Sequence, residues 1–211
     1  ASLHNCSEEI MSFERYKKII DELGKYIFTL RLWDYGEPLM NPEIAKFVEY
    51  AKKFSIFTAI SSNCSLLDEK KAAGLINAQL DYLLVSINAA SPQTYWKLTG
   101  GAVFDRVIQN IRQLAELKKK FRSAKPFINL QFIVMKDNIT EIEDMRELAK
   151  TLNIDKLSFK NIGFKSAEFG VKELFDDFMA KIRDSAEFCR LPFSETVIAV
   201  DGKVRPCAWI F

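Results

Sequence analysis

Short apolar runs alternate along most of the chain with longer segments in which apolar residues recur every three or four positions. The short runs are typical of buried strands, and the longer segments are typical of amphipathic helices. Strands are expected at residues 26–32, 56–60, 82–87, 127–135 and 157–160. Strict alternation of helices and strands favours right-handed crossovers and a parallel sheet, so the predicted fold class is α/β.

The residues at the ends of the predicted helices support this assignment. Three helices follow a side chain that can accept hydrogen bonds from the first turn, at Ser12, Asp68 and Ser91, and Asn41 before Pro42 is expected to cap and open a further helix. Thr140 with Glu143 matches a capping box for a later helix, and Gly24 is expected to end the first helix in the left-handed conformation. Local sequence therefore predicts both the order and the ends of the helices.

The alternation of predicted helices and strands ends after residue 187. Residues 196–200 and 203–206 are two short runs joined by Asp201-Gly202, which predicts a β-hairpin with a type I′ turn. We therefore expect a first domain at residues 1–187 and the start of a small second module at residues 188–211.

Composition argues against several classes of protein. The 211 residues are 48% hydrophobic and 27% charged, which suffices for one domain with a substantial core. The net charge of +2 gives no reason to expect a nucleic acid or an anionic membrane as partner. No apolar stretch approaches the roughly 20 residues of a membrane helix, and no secretory signal follows Ala1, so we expect a cytoplasmic protein.

Four cysteines, Cys6, Cys64, Cys189 and Cys207, are too few and too dispersed for a secreted disulfide framework. In a reducing compartment they are thiols or metal ligands. The chain begins with Ala1 rather than Met and stops on an apolar run, so we expect a fragment of a longer protein.

Polar or glycine-containing motifs follow the first three predicted strands: Gly36-Glu37-Pro38, Ser62-Asn63 and Ser86-Ile87-Asn88. Because the carboxyl ends of parallel strands meet at one rim of a sheet, we expect these motifs to converge on one ligand. Each motif also has a simpler interpretation when taken alone. The Gly-Glu-Pro turn can merely end a strand, and Ser86 or Gln131 can be ordinary polar residues at strand ends.

Together and in this order, the motifs resemble those of the radical S-adenosylmethionine (SAM) family, especially members with a C-terminal SPASM or twitch module, over about residues 11–209. Gly36-Glu37-Pro38-Leu39 is similar to the segment that receives the methionine amino group of SAM. Ser61-Ser62-Asn63 resembles the family's Thr-Asn-Gly turn. The segment from Ser86 to Pro92 is similar to the one whose serine contacts the nucleoside, and Gln131 to Lys136 resembles the next strand and its exit.

The resemblance implies a partial parallel (β/α)6 TIM-like barrel of the radical SAM type with a short C-terminal β-hairpin module. It implies an enzyme with SAM and a [4Fe-4S] cluster as cofactors, in which one electron from the reduced cluster cleaves SAM to a 5′-deoxyadenosyl radical that abstracts hydrogen from the substrate. The implied SAM-binding residues are Gly36, Glu37, Pro38, Ser62, Asn63, Ser86, Asn88, Gln131, Val134 and Lys136. The implied partners are a peptide, protein or small-molecule substrate and an electron donor such as flavodoxin or ferredoxin, with no nucleic acid and no membrane.

The chain departs from the family pattern in four places. It has no Cys-x-x-x-Cys-x-x-Cys loop to hold the cluster, so we expect those ligands upstream and expect this chain alone to be inactive. Thr99 stands near the place of an Arg that clamps the SAM carboxylate, a contact that Lys97 would have to replace. Cys64 takes the place of a turn glycine, where we expect a small buried side chain, and Asp34 takes the place of the first glycine in the Gly-x-Gly-Glu-Pro form.

Cys189 and Cys207 flank the predicted hairpin. This arrangement resembles the opening of the SPASM or twitch module, in which a hairpin brings cysteine thiolates to an auxiliary iron–sulfur cluster, so the resemblance implies both cysteines as metal ligands. Two thiolates cannot complete a four-thiolate shell. Further ligands would lie beyond Phe211, or the two thiols are merely buried.

Two other functions stay open on the sequence. A barrel that has lost the cluster would be a non-catalytic binding or scaffold protein. An unrelated α/β-barrel enzyme that handles a small phosphorylated metabolite is the other alternative, but no glycine-rich phosphate loop supports it. A Cys-x-x-x-Cys-x-x-Cys motif shortly upstream in the source gene would favour the enzyme over the scaffold.

Overall fold

A computed structural model describes residues 9–34, 36–101, 103–161 and 191–206 of the chain. Five strands form one sheet in the order β1-β2-β3-β4-β5, and every neighbouring pair is parallel. The strands are β1 (Thr29–Arg31), β2 (Phe57–Ser62), β3 (Tyr82–Ser86), β4 (Phe127–Val134) and β5 (Lys156–Asn161). The α/β class and the parallel sheet are confirmed, and within the described residues the sheet is open rather than closed into a barrel.

Helices precede or connect these strands. They are α1 (Phe13–Leu23), α2 (Ile44–Lys52), α3 (Glu69–Asn77), α4 (Pro92–Thr99), α5 (Phe104–Lys120) and α6 (Ile142–Leu152). Short 3-10 turns lie at Pro38–Met40 and Ile139–Glu141. Among the described residues, no helix is both long enough and apolar enough to cross a bilayer.

The predicted caps of α1, α3 and α4 are confirmed, because each capping side chain accepts a hydrogen bond from the first turn of its helix. Ser12, Asp68 and Ser91 accept from the backbone N–H groups of Arg15, Lys71 and Thr94, respectively. The capping box at Thr140 and Glu143 is wrong, since α6 begins at Ile142 and no side chain caps its first turn. The cap expected at Asn41 is also wrong, since α2 begins at Ile44 and its first turn likewise has no side-chain cap.

Gly24 ends α1 for a different reason from the one expected. Its φ is −55°, so the residue is right-handed and not left-handed. A Cβ atom at this position would lie 2.5 Å from the carbonyl oxygen of Ile20 and 2.7 Å from the ring of Phe54. Glycine is therefore required here by close packing rather than by backbone conformation.

The two faces of the sheet have different surroundings. One face, the helix face, carries fully buried side chains that pack into the main hydrophobic core: Ile60, Leu83, Val85, Leu130 and Phe132. The alternate residues of the same strands form the other face, which we call the open face. There Ser61, Ser86 and Gln131 keep partial solvent exposure. Residues that pair across neighbouring strands lie side by side on the same face of the sheet.

A second, smaller core lies between α1, α2 and the start of the sheet. The rings of Tyr16 and Phe47 stack with their centroids 4.1 Å apart, and the Tyr16 hydroxyl donates to the Phe47 carbonyl at 2.7 Å. Burial raises the pKa of Tyr16 above its ordinary value, so this hydroxyl stays a donor at neutral pH. The cluster holds the two helices that flank β1.

The predicted hairpin is present, but its turn differs from the expectation. β6 (Val197–Ile198) pairs antiparallel with β7 (Val204–Arg205), after a short helical segment, α7 (Leu191–Ser194). The Ala199 carbonyl accepts from the Gly202 N–H at 2.9 Å, and Gly202 has a φ of +88°. A type I′ turn would also need positive φ at Asp201, which is not left-handed, so this is a three-residue loop with a glycine bulge.

The proposed boundary between residues 187 and 188 lies outside the described residues, as do Cys189 and Cys207. The two-domain division and the metal-ligand assignment of these cysteines therefore stay predictions.

Candidate functional site

The carboxylate of Glu37 joins the exits of β1 and β2. Its Oε1 accepts hydrogen bonds from the Ser62 hydroxyl at 2.7 Å and the Leu39 N–H at 3.1 Å, and its Oε2 accepts from the Asn63 N–H at 3.0 Å. Two of the predicted motifs are thus in direct contact at one rim of the sheet. A carboxylate has about four acceptor positions, so these three bonds leave capacity for a further donor.

The backbone around Gly36 leaves space beside that carboxylate. Gly36 has a φ of +92°, a conformation that other residues adopt only with strain, and a Cβ atom there would meet nothing within 4 Å. Pro38 then starts the 3-10 turn, in which Glu37 acts as the N-terminal cap through Leu39. The loop is open on one side and fixed by Glu37 on the other.

The exits of β3 and β4 are joined by two asparagines. Asn88 Oδ1 accepts from the Ile133 N–H at 2.9 Å. Asn138 is fully buried, and its Nδ2 donates to the carbonyls of Asn88 at 2.9 Å and Ile133 at 2.8 Å. Its Oδ1 accepts from the Met135 N–H at 2.6 Å. Asn88 therefore positions the β4 backbone, which leaves its amide NH2 group as the part that can contact a ligand.

Glu141 supports the same rim at the N-terminus of α4. Its Oε2 accepts from the Ala90 N–H at 2.8 Å, and its Oε1 accepts from the Ser91 hydroxyl. Burial alone would raise the pKa of Glu141, but these hydrogen bonds outweigh it and lower the pKa below the ordinary value. Glu141 is therefore ionised at neutral pH and holds the N-terminus of α4 in place.

Ser86 and Gln131 lie opposite each other in the β3–β4 register, and Gln131 lies opposite Ser158 of β5. All three belong to the open face and are partly exposed. Ile133 and Lys160 form the next level toward the rim. The open face thus presents a polar row just below the loops that carry Glu37 and Asn88. Ser158 was not predicted, although the alternation of Leu157, Ser158 and Phe159 could have indicated it.

Val134 and Lys136 lie apart from this row. Val134 belongs to the helix face and packs against the main core, so its side chain does not line the open face. Lys136 is exposed in the loop after β4, and no ion pair links it to another described residue. Among the predicted SAM residues, the structure groups the Glu37 loop, Ser62-Asn63, Ser86, Asn88 and Gln131, and it leaves the Val134 side chain and Lys136 outside that group. Ser62 belongs to the group through its contact with Glu37, although its own side chain is buried on the helix face.

Lys97 does not point toward the grouped residues as a free cation. Its Nζ forms an exposed ion pair with Asp137 Oδ1 at 2.7 Å. The Thr99 hydroxyl donates to the Tyr95 carbonyl at 2.7 Å within α4. At positions 97 and 99, the described structure therefore offers no unpaired cation for the carboxylate of SAM.

Cys64 is fully buried in the main core and has a φ of +59°. Burial raises its pKa to about 12, with a smaller contribution from the charge of Glu37. The thiol is neutral and inaccessible, so Cys64 fills the core, as expected for this position. In the part of the chain that the structure describes, no group of His, Cys, Asp and Glu side chains is arranged to hold a metal ion.

Comparison with curated proteins gives relatives that match most of this chain at low sequence identity. The chain is 21% identical over 222 residues to the tungsten-containing aldehyde ferredoxin oxidoreductase cofactor-modifying protein of Pyrococcus furiosus, covering 93% of this chain and 62% of that protein. It is 26% identical over 156 residues to the Fe-coproporphyrin III synthase of Methanosarcina barkeri, covering 74% and 37% of the two chains. The chain thus spans less than two thirds of the length of these relatives.

Solved structures match the fold at similar coverage. Streptococcus suis SuiB has a TM-score of 0.69 and 15% identity, covering 95% of this chain and 55% of that one. The structure of native anSMEcpe with bound AdoMet and Kp18Cys peptide has a TM-score of 0.66 and 17% identity, covering 97% of this chain and 68% of that one. At these identities the matches establish the partial-barrel fold alone.

The family model described as the radical SAM superfamily matches residues 5–152. This range contains α1 through α6, the grouped residues at the rim and the first four strands of the sheet. By that match the chain belongs to the radical SAM superfamily.

Proposed function

We propose that the rim formed by the exits of β1 to β4 binds SAM. The observation that carries the proposal is the contact of Glu37 with Ser62 and Asn63, which brings two motifs of the family pattern together beside the open side of Gly36. The remaining acceptor capacity of Glu37 and the loop carbonyls suit a methionine ammonium group.

The nucleoside part of SAM would lie over β3 and β4 in this proposal. Ser86 and the amide NH2 group of Asn88 would contact the ribose hydroxyls, and Gln131 would add a polar contact from the same level of the sheet. Ile133 would supply the apolar platform for adenine, because it belongs to the open face and is partly exposed, whereas its neighbour Phe132 is fully buried. Lys136 stands at the outer edge of this area.

The chain is the core of a radical SAM enzyme, and the radical chemistry is proposed for the whole source protein. In such proteins a reduced [4Fe-4S] cluster cleaves SAM to a 5′-deoxyadenosyl radical, which abstracts hydrogen from the substrate. This chain has no Cys-x-x-x-Cys-x-x-Cys motif, so its own residues would bind and orient SAM, exclude water and leave the cluster ligands to another segment. We expect the isolated chain not to cleave SAM.

The C-terminal hairpin supports the proposal of a SPASM or twitch module, in which Cys189 and Cys207 would contribute to an auxiliary iron–sulfur cluster. The support is the hairpin between them, because the antiparallel pairing of β6 with β7 returns the chain at the end of β7 toward the start of β6. The electron donor in this proposal is a flavodoxin or a ferredoxin.

The substrate class is proposed from the comparisons. One solved structure contains SuiB bound to the precursor peptide SuiA, and another contains anSMEcpe with a bound peptide. The curated relatives instead include proteins named for cofactor modification, Fe-coproporphyrin III synthesis and GTP cyclisation. We place a peptide or protein side chain first, with a small molecule as the second class.

The test is anaerobic reconstitution of the full-length source protein with iron and sulfide, followed by an assay for 5′-deoxyadenosine in the presence of SAM and a reductant. We expect 5′-deoxyadenosine from the full-length protein and none from the isolated chain. SAM binding without cleavage by the full-length protein would instead indicate a non-catalytic scaffold, and cleavage by the isolated chain at a comparable rate would show that the cluster ligands have been misplaced.

A further inference from the structure

The C-terminal hairpin and the residue before it make three polar contacts with α1, β1 and the loop after β1. These contacts are Arg15 with the Val200 carbonyl, Arg31 with Glu195 at 2.8 Å, and Arg205 with Asp34. Arg31 belongs to the open face of β1, so the segment at Glu195 lies on the same side of the sheet as the polar row. The hairpin therefore borders the proposed SAM site.

The ion pair between Arg205 and Asp34 is partly shielded from water. The two side chains keep 24% and 26% of their accessible surface, whereas those of the exposed pair Lys150 and Glu147 keep 71% and 70%. Exposed ion pairs such as that of Lys150 and Glu147 contribute little to stability because water screens them. Partial burial reduces that screening, so the Arg205 contact is the stronger constraint.

Asp34 lies at the start of the loop that carries Glu37. At the far end of this loop, the Glu37 carboxylate is tied to Ser62 and Asn63. Gly36 between them has a positive φ and open space around it, so its own packing does not hold the backbone. β1 is only three residues long, and the described sheet continues from it on one side alone. The position of the loop therefore depends on contacts at its two ends, Asp34 and Glu37.

We propose that the hairpin acts as a clamp on the SAM-binding loop, with Arg205 and Asp34 as positioning residues. The inference deepens the proposed function and rests on it, because it concerns the loop assigned to the methionine ammonium group. The replacement of a family glycine by Asp34 then has a physical role, since the carboxylate gives the hairpin a charged attachment point. Neither residue needs to touch SAM. The contact makes SAM affinity depend on the state of the C-terminal module.

The first test measures SAM affinity by titration calorimetry in the full-length, cluster-reconstituted protein. We expect Arg205→Ala to weaken binding by about threefold to tenfold, the range of a partly buried ion pair. Lys203→Ala is the matched control, because Lys203 is in the same hairpin and pairs only with Asp201 among the described residues. The control should bind SAM like the wild type, and the charge exchange D34R/R205D should recover most of the lost affinity.

The second test measures amide hydrogen exchange of residues 36–41 without SAM. The clamp predicts that these amides exchange faster in Arg205→Ala than in Lys203→Ala. In D34R/R205D their exchange rates should return toward those of the wild type. Unchanged affinity and unchanged exchange in Arg205→Ala, in a wild-type background that binds SAM, would overturn the clamp alone. A wild-type protein that binds no SAM would overturn the proposed function, and the exchange measurement would then show whether the hairpin still fixes the loop.

Discussion

The hydroxyl of Ser62 donates a hydrogen bond to the carboxylate of Glu37 at 2.7 Å, although the two residues are 25 positions apart in the chain. The same hydroxyl oxygen accepts the N–H of Cys64 at 2.9 Å. One buried hydroxyl thus fixes both the loop after β1 and the turn after β2. A residue that the family pattern assigns to cofactor binding is also part of the framework of the site.

Ser62→Ala should reduce the stability of the fold. Ser62 is 2% exposed, so the substitution leaves a Glu37 acceptor and the Cys64 N–H without their buried partner. We expect the free energy of unfolding to fall by about 1–3 kcal/mol, measured by urea denaturation. Ser61→Ala is the control, because Ser61 lies on the open face and its side chain makes no hydrogen bond within the described residues. Its effect should stay within about 0.5 kcal/mol, and equal losses in both variants would contradict the bridging role of Ser62.

Asp81 should make the fold sensitive to acid. Its carboxylate accepts hydrogen bonds from Lys125, Lys52 and Thr58 at the amino ends of the strands. Burial raises the pKa of Asp81, but the hydrogen bonds from the two lysines and Thr58 outweigh burial and lower the pKa to about 2.

Because this pKa is lower in the folded state, the stabilisation is complete above the unfolded pKa of about 4 and is lost as the pH falls toward 2. Its size is on the order of 2 kcal/mol at neutral pH. Asp81→Asn should therefore lower the stability at pH 7 and flatten its decline between about pH 4 and pH 2. Asp137→Asn, at an exposed ion pair, is the control. An unchanged slope in Asp81→Asn would show that other carboxylates dominate the acid response.

The thiol of Cys64 should resist alkylation in the folded protein. It is fully buried, and its pKa of about 12 leaves almost no reactive thiolate at pH 8. Iodoacetamide labelling followed by peptide mass mapping should leave Cys64 unmodified until urea unfolds the chain. Rapid labelling under native conditions would mean that the turn after β2 opens readily, and that Cys64 is more than a packing residue.

Local chemistry made much of the fold predictable. Ser12, Asp68 and Ser91 cap helices through contacts that lie within four residues of each cap, so sequence pattern alone can identify them. The first strand was predicted at 26–32 but spans only Thr29–Arg31, because ladder pairing with β2 rather than apolar content sets its ends.

Tertiary contacts explain what the sequence did not predict. The helix α6 lacks the cap expected at Thr140. Glu141, the residue just before α6, instead accepts hydrogen bonds from Ala90 and Ser91, which lie about 50 positions away in the chain. The roles of Asn138 and of the Arg205–Asp34 ion pair likewise depend on segments that meet only in the folded chain. Motif order indicated which residues belong to the rim, whereas the hydrogen-bond partners of each required the structure.

The most direct measurement of the central claim compares SAM affinity in Glu37→Ala and Cys64→Ala variants of the full-length, cluster-reconstituted protein by titration calorimetry. Glu37 is proposed to face the SAM ammonium group and to hold the loop around it, whereas Cys64 only fills the core. We predict that Glu37→Ala weakens SAM binding by about 10-fold to 150-fold, the equivalent of one charged hydrogen bond, and clearly more than Cys64→Ala does. Equal losses of affinity in the two folded variants would contradict the assignment of the SAM site to this rim.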